Sequence, residues 1–179
     1  MRVLRCLYLL VMTATAALSA APTPGGDPDP GETAGADFRA LAAYYQGYWL
    51  CEGHFANGTP ITAVEQFDAW LNGTWLHELH DDQPPFPYHA HSVWGVTKAS
   101  GFLTLTIYDN FGGVRSFTSA DWKGASITFD ATSTSGTAGR RERFIYLQHP
   151  PAAFSFEYQV SSDGGGWRMG DHVECKKRT

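Results

Sequence analysis

The sequence predicts an all-β fold: a closed antiparallel up-and-down β-barrel of about ten strands, preceded by one short helix. Three observations carry this. After Gly47 large apolar residues recur at every second position, as in Phe154-Ser155-Phe156-Glu157-Tyr158-Gln159-Val160, which is the period of a half-buried strand. Turn pairs punctuate the chain at short intervals, among them Asn57-Gly58, Asn72-Gly73, Ser100-Gly101, Gly112-Gly113, Lys123-Gly124 and the glycines after Asp163. Finally, Cys51 falls in the first strand and Cys175 in the last. A disulfide between them requires Cα atoms within about 7 Å, which sets those strands side by side and closes the sheet. Closure is also the simplest way for a long meander to hide its edges.

The N-terminus reads as an export signal. Met1 to Arg5 is short and basic, Cys6 to Val11 is apolar, and small residues run through Ala14, Ala16, Ala17, Ser19 and Ala20. The apolar run is too short to span a bilayer. Residues 1–20 are therefore expected to be a signal peptide cut after Ser19 or Ala20, leaving a secreted or periplasmic protein. Loss of Arg2 and Arg5 leaves 11 of the 13 basic residues against 18 acidic ones, a formal −7. An acidic chain without a basic stripe is a poor partner for nucleic acid. Loss of Cys6 leaves Cys51 and Cys175, most simply a disulfide in an oxidising compartment. The bond would close a loop worth roughly 4 to 5 kcal/mol in the chain-entropy model.

Residues 21–36 are rich in Pro, Gly and Asp and carry no large apolar side chain, so a flexible linker is expected there. The remainder, 37–179, is expected to be a single domain of ordinary size. Asp37 can cap a short helix in which Phe38, Leu41, Ala42 and Tyr45 recur at helical spacing, and Gly47 ends it.

Strand alternation predicts which side chains face inward. If Trp49 faces the core, so does Cys51. Pairing with Cys175 then turns Val173, Asp171, Met169 and Trp167 inward and places His172 outside, unless a bulge intervenes. Two-residue turns at Asn57-Gly58 and Asn72-Gly73 would set Cys51 opposite Val64 and Asp68 opposite His77. The inward set becomes Trp49, Cys51, Val64, Gln66, Asp68, Trp70, Trp75, His77 and Leu79. From it, Trp49, Gln66, Asp68, Trp75 and His77, with Asp171, are the candidate ligand-binding residues of an apolar cavity with a few placed polar groups. His77 and Asp68 could equally satisfy each other and nothing else.

Histidines also cluster. His77-Glu78-Leu79-His80 and His89-Ala90-His91 flank Asp81 and Asp82. His89 and His91 share a strand face, and His77 could complete a transition-metal site; His80 has the opposite parity to His77. No cofactor is otherwise expected.

A short helix followed by Gly47-Tyr48-Trp49 resembles the Gly-x-Trp signature of the calycins, the lipocalin and fatty-acid-binding superfamily. That resemblance implies that Trp49 packs at the closed end of a barrel. Gly47-x-Trp49, Gly53, Leu71-x-Gly73-x-Trp75-Leu76, Gly95 and the tail Lys176-Lys177-Arg178 resemble a bacterial calycin family known as domain of unknown function 1579, from Phe38 to Arg178. The family implies a barrel and no established activity. Its members often lack the two cysteines and the segment Gln83-Pro84-Pro85-Phe86-Pro87. A more distant resemblance is to nitrobindin-type haem barrels, through Gly47, Trp49 and Gly53, with Cys51 where that motif has glycine and His172 near the position of the haem ligand.

No Gly-x-Ser-x-Gly, His-Glu-x-x-His or P-loop is present, so no enzyme is expected. Three readings follow: a barrel binding a small apolar or amphipathic ligand, a metal or haem barrel using the histidines, and a structural domain with a filled interior. An aromatic share of 14% favours the first.

Overall fold

Helical periodicity ends at Gly47 and strand periodicity takes over, and the computed structural model follows that change. It describes residues 30–132, 139–162 and 164–178. The expected signal peptide and most of the linker lie outside them, as does most of the expected turn from Ser133 to Gly139. The first element, α1 (Pro30–Tyr45), begins seven residues before Asp37, so the expected linker is helical over its last part. Proline suits the first helical position, where its missing N–H has no partner to serve. Ala34 adds a buried position to the stripe of Phe38, Leu41, Ala42 and Tyr45.

Ten strands follow: β1 (Gly47–Phe55), β2 (Pro60–Trp70), β3 (Trp75–Asp82), β4 (His89–Val96) and β5 (Leu103–Asp109), then β6 (Val114–Ser119), β7 (Ser126–Ala131), β8 (Arg140–His149), β9 (Ala153–Ser162) and β10 (Arg168–Lys177). Each pairs antiparallel with its neighbours in sequence, and β10 pairs with β1 to close the barrel. At that seam Cys51 faces Cys175, and the two form a disulfide with Cα atoms 4.1 Å apart.

One end of the barrel is solid. The buried stripe of α1 lies against Trp49, Phe67, Trp94 and Phe154, all fully buried. Tyr45 sits within 5.1–5.5 Å of the Phe154, Phe67 and Trp94 rings. The Trp49 indole N–H donates to the Tyr45 carbonyl at 2.6 Å, and the Lys177 ammonium lies over its ring. At the opposite end lie the β1–β2, β3–β4 and β5–β6 loops, among the described residues.

The register differs from expectation at one turn. Cys51 pairs with Ala63 rather than Val64, because His54 pairs with Pro60 across a longer loop in which Gly58 adopts φ +82°. The Phe55 N–H donates to Thr59 and the Gly58 N–H to Phe55. This is a turn with a glycine bulge, one residue longer than the two-residue form. A one-residue slip turns every side chain of a strand over. Ile61, Ala63, Glu65 and Phe67 therefore face inward, and Val64, Gln66, Asp68 and Trp70 face out. The second turn keeps the expected register, with Asp68 opposite His77, so that pair lies on the outside of the barrel together with Trp75 and Leu79.

A bulge between Met169 and Asp171 produces the other departure. It leaves Asp171, Val173 and Cys175 inside but turns Met169 and Trp167 outward, where Trp167 stacks beneath Arg141 and Arg143. Gly170 permits the bulge: a Cβ there would meet the Tyr158 ring at 2.7 Å. His172 faces out, between Glu157 and Glu174, as alternation predicts.

Candidate functional site

Between the packed end and the loop end the barrel encloses a cavity of about 310 Å³. Its walls are aromatic and aliphatic: Phe144, Tyr146, Phe156 and Tyr158 from β8 and β9, Ile61, Ile107 and Val173 from other strands, and Phe55, Phe86, Tyr88 and Phe111 near the mouth. Glu78, His80 and Asp82 project into it from alternate positions of β3, and Arg115 and Asp171 from β6 and β10.

These polar groups form two networks. On one side His80 is clamped. Its Nδ1 meets Glu65 Oε1 at 2.5 Å and its Nε2 meets Asp82 Oδ1 at 2.9 Å, with Glu65 wholly buried. Burial alone would push His80 down, but the charges of Glu65 and Asp82 and their hydrogen bonds raise it well above the usual imidazole range. His80 is therefore an imidazolium with both nitrogens engaged. Burial likewise pushes Glu65 up, against the pull of His80.

Next to it Glu78 forms the cavity floor. Trp94 Nε1 donates to its Oε2 at 2.8 Å and the Tyr146 hydroxyl to its Oε1 at 3.4 Å. Burial, reinforced by the charge of Glu65, raises Glu78 to about 8, so it is a neutral carboxyl at pH 7. Asp171 is raised to about 6, again chiefly by burial, with His80 pulling it back and Asp82 pushing it up.

On the other wall the Arg115 guanidinium donates to the Tyr88 hydroxyl at 2.7 Å and has Asp109 and Glu142 at 4.0 Å. Glu142 also accepts from Arg140 at 2.9 Å. The ring centroids of Phe144 and Tyr158 lie 6.0 Å from the guanidinium carbon.

Of the six candidate ligand-binding residues expected from sequence, Asp171 alone lines this cavity. Trp49 is interior but packed into the closed end. Gln66, Asp68, Trp75 and His77 lie on the outer face, for the register reason given above. There Gln66 donates to Asp68 at 2.9 Å, and the His77 ring stacks on Trp70 at 4.1 Å and on His91 at 5.0 Å. His77 Nε2 and His91 Nδ1 are 2.8 Å apart, and burial followed by the charge of His91 lowers His77. His89 does not join them, since it pairs with Asp81. Among the described residues no group of three or more His, Cys, Asp or Glu side chains is arranged to hold a metal. His80 is the cavity's one histidine, and neither of its nitrogens is free for haem iron.

Sequence reasoning missed Glu65, Glu78, His80, Asp82 and Arg115 as interior groups. For the three on β3 the signal was parity: Leu76, Glu78, His80 and Asp82 share one face, and Leu76 is fully buried.

The fold and cavity define a closed ten-stranded antiparallel barrel with an accessible, partly polar interior. The chain matches no protein-family model, and no curated protein gives a significant match to it. Among the described residues, no helix is long and apolar enough to cross a membrane.

Proposed function

We propose that this chain is an exported binding protein of the calycin type, which takes up one small amphipathic organic molecule in its barrel. The observation that carries the reading is the 310 Å³ cavity, with aromatic walls and a floor of placed polar groups. It falls at the lower end of the range for small-molecule sites and has their usual lining. The buried disulfide fits passage through an oxidising compartment, and the N-terminal segment supplies the expected export signal. The Gly-x-Trp resemblance supports the calycin assignment, with Trp49 at the packed end.

Fluorescence titration with N-phenyl-1-naphthylamine, a neutral apolar probe, tests the reading on the oxidised full chain. One saturable site is expected, and it should be lost when Ala90→Phe puts a ring into the cavity that Ala90 lines. Failure of the probe to bind, or binding that Ala90→Phe leaves unchanged, would overturn it.

A further inference from the structure

We infer that the molecule this cavity takes is an organic cation, an amine on a small apolar or aromatic body, with its ammonium group against Asp171. The inference rests on the proposed binding role and adds the charge of the ligand.

Carboxyl groups outnumber cationic side chains inside the barrel and at its mouth. Glu65, Glu78, Asp82, Asp109, Glu142 and Asp171 contribute carboxyl groups there. Against them stand His80 and Arg115, with Arg140 at the rim. Both interior cations are already engaged by protein acceptors: His80 by Glu65 and Asp82, and Arg115 by the Tyr88 hydroxyl with Asp109 and Glu142 nearby.

Asp171 differs from the other acids. It lines the cavity and, among the described residues, forms no ion pair; its direct support is a backbone hydrogen bond at Tyr158. His80 and Arg115 act on it only from beyond ion-pair distance, and a buried carboxyl with no cation in contact is costly in its charged form; its titration, raised to about 6 chiefly by burial, agrees with that cost. A ligand cation would relieve it.

The walls supply the rest of such a site. Phe55, Tyr146 and Phe156, rings that Arg115 does not cover, also line the cavity, and aromatic faces attract ammonium groups. A formal net charge of −5 for the whole chain, or −7 without Arg2 and Arg5, draws cations toward the protein. An anion is the rival ligand, because Arg115 keeps one buried nitrogen, Nε, without a partner.

The test is calorimetry at pH 7 with three probes on one apolar body: 1-naphthylmethylamine, 1-naphthylmethanol and 1-naphthoic acid. The amine is expected to bind about tenfold tighter than the alcohol. Asp171→Asn should remove that advantage while leaving alcohol binding unchanged. If the amine binds no better than the alcohol, or the acid binds tightest and loses affinity in Arg115→Met, the cation inference falls and the binding role stands. If none of the three binds, both fall. The comparison on the unsubstituted protein decides the matter even should Asp171→Asn fail to fold.

Discussion

Glu65 and His80 meet inside the barrel, 2.5 Å apart, on neighbouring strands whose Cα atoms are paired in register. The carboxylate is wholly buried, so the imidazolium is what makes its charge tolerable. Removing one partner of a buried pair leaves the other uncompensated and costs about 3–5 kcal/mol. His80→Gln should therefore destabilise the protein by that amount in chemical denaturation. Adding Glu65→Gln should recover much of the loss. Two losses that simply add would show that the pair is not coupled.

Glu78 carries a pH signature. It keeps its proton to about pH 8 in the fold, while a free glutamate releases it near 4.5. Between those values the folded state holds a proton that the unfolded chain does not. Stability therefore falls as pH rises, by up to about 1.4 kcal/mol per pH unit, and this contribution levels off above 8. Glu78→Gln keeps an acceptor for the Trp94 indole and cannot ionise. Its urea midpoint should gain on the parent's from pH 5 to pH 8; a constant difference would show that Glu78 does not titrate in this window.

The disulfide spans 124 residues and joins strands already paired at seven positions. Its loss should lower stability by about 5 kcal/mol in the chain-entropy model without dissolving the seam. Denaturant titration of Cys51→Ala/Cys175→Ala against the oxidised parent measures this, and equal midpoints would show that strand pairing alone sets the stability.

Two glycines stand close to neighbours of different kinds. A Cβ at Gly53 would lie 2.0 Å from the His172 carbonyl oxygen, across the β1–β10 seam. At Gly95 it would lie 2.1 Å from the Trp75 ring on the outer face. A ring can swing away, whereas a paired backbone cannot shift without breaking its ladder. Gly53→Ala should therefore cost more than Gly95→Ala, and at least the 1–3 kcal/mol typical of overpacking. Thermal melts of the two variants give the order, which a larger loss for Gly95→Ala would reverse.

The architecture was legible because it rests on signals that sequence carries openly: period-two apolar residues, glycine turns and two cysteines at the ends of the sheet. The interior was not, for two physical reasons. The turn at Asn57-Gly58 fits either of two loop lengths, and the choice turned β2 over, exchanging Gln66 and Asp68 for Glu65 and Phe67. On β3 the inward positions Glu78, His80 and Asp82 are as polar as an outer face, so polarity pointed the wrong way. The outer position His77 is nearly covered by its stacking neighbours and passes for a core residue. Asp171 was placed correctly because it lies on the cysteine side of the bulge, where alternation counted from Cys175 still holds.

The seam that closes the barrel also brings both ends of the folded domain to one pole. Helix α1 covers the packed end, and the last residues return to it: Lys177 reaches the Tyr44 carbonyl and the Arg178 N–H donates to Tyr48. The mouth faces the opposite way. A reporter or surface joined after Arg178 would therefore meet the barrel at its packed end, away from the loop end that carries Phe55, Phe86 and Phe111.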